Sequence, residues 1–500
     1  MSRRTTLQLA ALQPGDPTSL MRQLSDALRR AILVGQLRPD TRLPSTRALA
    51  GELGVSRNTV LDAYEQLASE GYFSARTGSG TFVTASLPEH ALDRLRAAAR
   101  RPPARGIVPP LLSTRGAAMA AAPLSVSDDR IRAFSPGIPA LEQGNLDTWN
   151  RTRSWHQRHT TVDLLNYNDA AGYRPLREAI AAYVGPMRGV MCTAEQVIVT
   201  AGTQQALDLA VRLLVDPGDS AWLEEPGYPG ARAALAAAGA IIVPAPVDED
   251  GMCVQEAQRR APRARLAYVS PSHQYPLGYI MSVTRRLQLL EWAQASHAWI
   301  LEDDYDSEFR YGGRPLPALQ ALDRTGRVLY LGTFSKALFP SLRIGYVIVP
   351  ATLTPVFRNA SSVAWHGVNA IDQAALADFI RDGHFERHVR RMRRRYQERR
   401  AWLVDLIHDR LRDELTLAGS TAGLHVTARF VHPRDDVEVS RRGAADGLTL
   451  PALSQYYIQN PRLSGLVLGY GHLGHDAIRA GVDTLAAILR DMTLRRSTRR

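Results

Sequence analysis

Lys336 is the single lysine of this 500-residue chain; of its 61 Lys and Arg residues, every other one is arginine. Arginine equals lysine in ion pairs and phosphate contacts, but its guanidinium stays protonated and is a poor nucleophile. An amine that can lose its proton and condense with an aldehyde therefore exists only at Lys336 and the N-terminus. A general bias toward arginine explains why lysine is scarce. It does not explain why the survivor lies in Thr333-Phe334-Ser335-Lys336-Ala337-Leu338-Phe339-Pro340. The favoured chemistry is a Schiff base on Lys336.

The aldehyde cofactor that uses such a lysine, pyridoxal 5′-phosphate, needs further partners, and the sequence offers each. Asp303 follows the apolar run 299–302 and is placed to pair with a protonated ring nitrogen, with Asp304 as the alternative. Tyr305 can donate to the phenolic oxygen. Gly202-Thr203-Gln204-Gln205 follows the run 197–200 and opens a helix over 206–214, so its free amides form a phosphate site. Thr333 and Arg343 flank the lysine and add a hydroxyl and a guanidinium for the same phosphate. Tyr228, in Glu225-Pro226-Gly227-Tyr228-Pro229, can stack on the ring.

These residues sit in a regular rhythm. After residue 127 short apolar runs at 197–200, 220–224, 240–243, 266–269, 299–302 and 328–331 alternate with amphipathic segments, which predicts an α/β domain with a mostly parallel sheet. Cofactors gather at the carboxyl ends of such strands. Residues 1–86 read differently. Apolar spacing predicts helices over 20–34, 46–53 and 57–70, capped by Ser45 and Ser56 and stopped at Gly35, Gly54 and Gly71. Two strands, 72–76 and 80–83, follow. Between the two regions, 87–126 is an Ala-, Arg- and Pro-rich linker.

Helix, turn, helix and a two-stranded wing form the winged helix-turn-helix layout. Ser56, Arg57, Asn58 and Thr59 open the helix that would meet base edges, and arginine and asparagine are the side chains suited to guanine and adenine. Arg47, Arg76 and the wing tip at Gly78 and Ser79 are candidates for phosphate and minor-groove contacts. Leu43-Pro44-Ser45-Thr46-Arg47-Ala48-Leu49-Ala50, Gly54-Val55-Ser56-Arg57-Asn58-Thr59-Val60 and Gly78-Ser79-Gly80-Thr81-Phe82-Val83 resemble the GntR-type winged-helix domain. Asp40 departs from it, standing where that family usually has glycine after proline.

Thr200-Ala201-Gly202-Thr203-Gln204-Gln205-Ala206-Leu207, Pro271-Ser272-His273-Gln274-Tyr275-Pro276-Leu277-Gly278, Glu302-Asp303-Asp304-Tyr305-Asp306-Ser307-Glu308-Phe309 and the run from Ser335 to Tyr346 resemble fold-type I aminotransferases. The two resemblances together match the MocR/GabR subfamily of transcriptional regulators. They imply a PLP-binding domain over 127–500 that senses an amine, an amino acid or pyridoxal phosphate itself, and a partner in double-stranded operator DNA. A tyrosine like Tyr167 reaches the partner subunit's phosphate in that family, which implies a homodimer.

Two departures bear on catalysis. Tyr275 stands where aminotransferases usually place asparagine before Pro-x-Gly. Val467 stands where they usually carry the arginine for a substrate carboxylate; another arginine, Arg462 among them, would have to substitute. Regulation is therefore favoured over turnover as an aminotransferase.

Composition agrees. A net charge of +12 suits an anionic partner. Cys192 and Cys253, the only cysteines, make no disulfide framework and suit a reducing cytoplasm. No apolar run approaches the ~20 residues that span a bilayer, so no membrane partner is expected. The eight arginines within 387–400 read mainly as a solvated helix face around Val389, Met392 and Tyr396.

Overall fold

The computed structural model describes residues 12–13, 18–76, 79–85, 112–121, 131–142, 146–312, 316–419, 422–459 and 461–497. The chain divides into two compact units, Met1–Leu111 and Leu112–Arg500.

In the first unit, α1 (Leu20–Leu33), α2 (Thr46–Leu53) and α3 (Arg57–Ser69) precede β1 (Phe73–Arg76) and β2 (Gly80–Val83). Serine hydroxyls cap all three helices: Ser19, Ser45 and Ser56 accept from the amides of Arg22, Ala48 and Thr59. Gly54 ends α2 in the left-handed conformation at φ 67°, where a side chain would be strained. Leu24, Leu28, Leu49, Val60, Leu67 and Val83 close one core with no measurable exposure. The Arg29–Glu70 ion pair at 2.6 Å ties α1 to the end of α3. β1 and β2 pair antiparallel, with Phe73 opposite Val83 and Arg76 opposite Gly80.

The second unit is built on an eight-stranded sheet in the order β3-β10-β9-β8-β7-β4-β5-β6. The strands are β3 (Val197–Thr200), β4 (Ser220–Glu225), β5 (Ile241–Asp248), β6 (Gly251–Met252), β7 (Leu266–Val269), β8 (Trp299–Asp304), β9 (Val328–Thr333) and β10 (Gly345–Ile348). β4, β5, β7, β8 and β9 pair in parallel, while β10 runs against both β3 and β9, and β6 against β5. The mostly parallel sheet follows the sequence expectation. The antiparallel insertion of β10 between β3 and β9 was not legible, because four apolar residues carry no direction.

Among the helices, α4 (Arg174–Arg188), α5 (Thr203–Leu214), α6 (Pro229–Ala238), α7 (Val283–Ala295) and α8 (Ala370–Arg381) belong to this sheet-bearing part. A smaller antiparallel sheet of β11 (Leu415–Ala418), β12 (His425–Phe430) and β13 (Gly465–Gly469) packs with the long α9 (His384–Leu411) and α10 (His475–Ser497). Val389, Met392 and Tyr396 are buried on α9, as the apolar spacing implied. Two of its arginines are turned to the protein. Arg399 is buried against Gly471 O and Glu142 at 2.5 Å each, and Arg393 donates to Glu308 O at 2.9 Å.

Two expectations need correction. Residues 114–121, inside the expected linker, form a helix that lies against α6, and the second unit starts at Leu112. β8 extends through Asp304, two residues beyond the expected end. The rest of the expected linker, apart from 112–113, and the wing residue Gly78 lie outside the described residues.

Candidate functional site

The carboxyl ends of β8 and β9 deliver the acids and the lysine to one place. Because β8 continues through Asp304, its side chains alternate between two faces of the sheet. Asp303 and Asp304 therefore meet different neighbours. Asp304 Oδ2 accepts from Arg188 Nε at 2.7 Å and from the Tyr330 hydroxyl at 2.5 Å, a structural pair within the body of the unit. Asp303 Oδ2 accepts from the Tyr268 hydroxyl at 2.6 Å, and its Oδ1 is buried with no hydrogen-bond partner. Burial raises the Asp303 carboxyl to about 7, reinforced by Asp304 and Asp306 and opposed by Tyr268 and Lys336.

Lys336 Nζ donates to Gly137 O at 3.0 Å. Burial lowers its pKa, the charges of Asp306 and Asp303 work against that, and Arg343 adds to it. Gly137 has φ 72°, which favours glycine, and a Cβ there would stand 2.8 Å from Nζ, so a side chain at this position would displace the lysine tip.

Gly202 caps α5 with φ 96°. The first amides of a helix have no partner within it, so those of Thr203 and Gln204 point out of the end. The Arg343 guanidinium lies beside them, 3.7 Å from where a Gly202 Cβ would be. Arg343 itself adopts φ 50°. Thr333 is buried at the end of β9, its hydroxyl accepting from the Ser335 amide at 3.2 Å. Gln204 is committed elsewhere through its side chain, donating to Gly230 O at 2.9 Å and accepting from the Tyr228 hydroxyl at 3.3 Å. The Tyr228 ring lies nearly parallel to Tyr268, with centroids 6.4 Å apart.

The Tyr305 hydroxyl stands 2.9 Å from His273 Nδ1, which in turn faces both Asp306 oxygens at 3.0 and 3.1 Å. Tyr275 does not stand in for an amide donor, since its hydroxyl is engaged with that of Tyr456 at 3.0 Å. His425, on β12, donates Nε2 to Pro276 O at 2.9 Å; burial beside His273 and Lys336 pushes its pKa down to about 3. Val467 is buried at the middle of β13, opposite Thr427, and brings no charge to that face. Tyr167 is 87% exposed, and among the described residues its ring approaches only that of His366, with centroids 6.0 Å apart.

Sequence reasoning passed over Tyr268, Gly137 and His425, and gave no role to His273 or Asp306. Tyr268 carried one usable signal: it lies in a strand neighbouring β8. Gly137 and His425 carried none, because more than a hundred residues separate Gly137 from Lys336 and His425 from His273.

In the first unit Arg47, Arg57 and Asn58 are exposed and, among the described residues, make no side-chain hydrogen bond or ion pair. Ser56 and Thr59 are occupied with each other and with the α3 cap, their hydroxyls 2.8 Å apart. Ser79 is exposed. Arg76 is paired with Asp40 at 2.5 Å and lies over the Phe82 ring, so the residue that departs from the glycine pattern holds a wing arginine. Asp40 also adopts φ 59°, a conformation glycine takes without strain.

Comparison with known proteins agrees with both units. Residues 20–83 match the bacterial regulatory proteins of the gntR family, and residues 133–448 match aminotransferase class I and II. Over 465 residues, 93% of the chain and 92% of the relative, the sequence is 45% identical to the probable rhizopine catabolism regulatory protein MocR of Rhizobium meliloti. It is 35% identical over 94% of its length to the pyridoxine biosynthesis transcriptional regulator PdxR of Corynebacterium glutamicum, covering 96% of that protein. Among solved structures, the multiple substrate aminotransferase of Thermococcus profundus superposes with a TM-score of 0.68 at 26% identity, covering 77% of this chain and 98% of that one. Pyrococcus horikoshii kynurenine aminotransferase gives the same TM-score at 24% identity over 80% of this chain and 99% of that one, a likeness of fold.

Proposed function

Because this chain belongs to the MocR/GabR-type regulators, in which a gntR-type DNA-binding domain is joined to an aminotransferase class I and II domain, we propose that its second unit senses an amine or amino acid while its first unit holds operator DNA. The observation that carries this reading is the only lysine of the chain, half-buried and with a lowered pKa, standing beside Asp303, whose buried Oδ1 lacks a partner.

Pyridoxal phosphate supplies an aldehyde to which an amine can be joined reversibly, and an electron-poor ring. The residues present fit it. Asp303 Oδ1 is an open acceptor for a protonated ring nitrogen. The amides of Thr203 and Gln204 behind Gly202, the Arg343 guanidinium and the Thr333 hydroxyl form a cup for a phosphate. Tyr228 supplies an aromatic face and Tyr305 a hydroxyl for the phenolic oxygen. Lys336, pushed toward its neutral form by burial, keeps a lone pair available at neutral pH more readily than an exposed lysine.

Tyr167, almost fully exposed, is available to a second copy of the chain, and a homodimer completing each phosphate site is part of the proposal. No described helix is long and apolar enough to cross a membrane, which accords with a DNA-binding role in the cytoplasm. The apolar Val467 gives an effector carboxylate no counter-charge on β13, which favours sensing over efficient turnover. A sensing role requires the effector to prefer one conformation of the second unit.

The test is the absorbance spectrum of the purified protein with pyridoxal phosphate beside that of Lys336→Ala, followed by operator-binding titrations with candidate amines. A visible band near ~420 nm in the wild type alone is expected of a lysine-bound cofactor, together with an operator affinity that changes with amine. Identical spectra for the two proteins would remove the cofactor reading.

A further inference from the structure

His273 and Asp306, beside Tyr305, form a pair that the proposed function leaves unused. His273 and Asp306 are 3% and 2% exposed. The imidazole is clamped by glycines: a Cβ at Gly423 would stand 2.0 Å from His273 Cε1 and 2.7 Å from Asp306 Oδ2, and one at Gly278 would stand 3.1 Å from His273 Nε2. The sequence thus keeps two side-chain-free positions around one histidine–carboxylate pair, and the ring packs directly against both.

The partners determine the tautomer. Nδ1 faces two carboxylate oxygens at 3.0 and 3.1 Å, which favours the tautomer with the proton on Nδ1, since a bare lone pair there would be repelled by the carboxylate. A protonated Nδ1 cannot accept from Tyr305, 2.9 Å away, so its one proton is shared between the carboxylate and the tyrosine oxygen, and the tyrosine's own proton is directed elsewhere. Among the described residues the Tyr305 hydroxyl has no other hydrogen-bond partner. The same argument tells against a metal ion here. His273, Asp306 and His425 are close enough to be bridged, but His273 Nδ1 is protonated and His425 Nε2 donates to Pro276 O.

We propose that His273 and Asp306 are a positioning pair that holds the Tyr305 hydroxyl with its proton aimed at the phenolic oxygen of pyridoxal phosphate. The pair matters more here than where asparagine precedes Pro-x-Gly. The Tyr275 hydroxyl is turned to Tyr456, so Tyr305 is left as the donor on that side. The inference rests on pyridoxal phosphate occupying the Lys336 site.

A donor to the phenolic oxygen competes with the lysine-linked nitrogen for its negative charge and so lowers the pH at which the visible band of the loaded protein interconverts. Groups facing this centre are Asp303, Asp306, Arg343 and His425 around Lys336, and Asp303, Asp306, Glu224, Tyr275 and His273 around Tyr305. Removing the Asp306 charge also acts on Lys336 directly, in the opposite direction, since that charge favours the protonated amine.

The two effects separate in a double-mutant cycle read by absorbance against pH. Tyr305→Phe should raise the midpoint by about one pH unit, the scale of one hydrogen bond to a charged group. Asp306→Asn should shift the midpoint upward, relative to its effect in the Tyr305→Phe background, by a coupling of about half a unit or more. Zero coupling overturns the positioning role, because a purely electrostatic or structural contribution is the same in both backgrounds. His273→Phe, run through the same cycle, serves if Asp306→Asn does not fold. A wild-type protein without a Lys336-dependent visible band would overturn the functional reading itself; a normal band with zero coupling would overturn only the positioning pair.

Discussion

In the first unit Arg47, Arg57 and Asn58 stand exposed and uncommitted, whereas around Lys336 each polar side chain is held by another: Asp303 by Tyr268, Asp304 by Arg188, His273 by Asp306, Tyr275 by Tyr456, with single atoms such as Asp303 Oδ1 left open. A DNA-reading helix needs side chains that the fold does not use, since their partners come from outside. A cofactor pocket needs side chains held at fixed angles, and that requires other buried residues to hold them. Substitutions at those three exposed residues should change binding with little effect on folding, while those around Lys336 should change both.

The largest separation is expected at the two adjacent acids of β8. Asp303→Asn should weaken pyridoxal phosphate by roughly 10²-fold, the scale of losing one buried charge-assisted contact of about 3 kcal/mol. Asp304→Asn should leave cofactor affinity within about threefold but lower the melting temperature, because it leaves the buried Arg188 without its counter-charge. Fluorescence titration and thermal melts on the two variants decide this, and equal cofactor losses would mean that the alternation of β8 does not separate their roles.

Next comes the recognition helix. Arg57→Ala and Asn58→Ala should each weaken operator binding by roughly tenfold, within the 1–3 kcal/mol of a bidentate base contact, without moving the melting temperature. Electrophoretic or anisotropy titrations at fixed salt check the first part. A comparable loss of folding stability would break the contrast between the units.

The pH dependence of the cofactor-free protein sharpens the comparison from the buried side. The Asp303 carboxyl is raised to about 7 by burial, above its unfolded value of 3.8. Its contribution to stability is therefore fully present below the unfolded value and lost as pH rises through about 7. Melts of the wild type against Asp303→Asn should show the wild type losing ground over that window. Added pyridoxal phosphate should reverse the trend, since a protonated ring nitrogen favours the carboxylate.

The smallest effect is expected in the wing. Asp40→Gly removes a strained residue and frees Arg76, an exposed pair whose own contribution to stability is slight. Operator affinity should rise a few-fold, with a salt dependence steeper by about one phosphate contact. An unchanged slope would place Arg76 outside the DNA contacts.

The difference between the units also governs how much was legible beforehand. Residues 46–53 and 80–83 came out with the expected bounds, and α1 and α3 each ended one residue early, because serine caps, glycine stops and apolar spacing act within a few residues. The six runs of the parallel sheet were found for the same reason. Their ends were not legible in the same way: β5 runs on to Asp248 and β8 to Asp304.

Residue types and local spacing alone thus determined that one amine could react, that acids, a glycine turn and an arginine were available to it, and that a winged helix preceded it. Only the tertiary structure decided which of Asp303 and Asp304 faces Lys336, that Tyr268, Gly137 and the His273–Asp306 pair support that face, and that Asp40 occupies Arg76. The physical reason is one of range. Caps, turns and periodicity are interactions between near neighbours in sequence, whereas a buried carboxylate's partners are chosen by strand order and strand length, and these bring together residues that lie far apart along the chain.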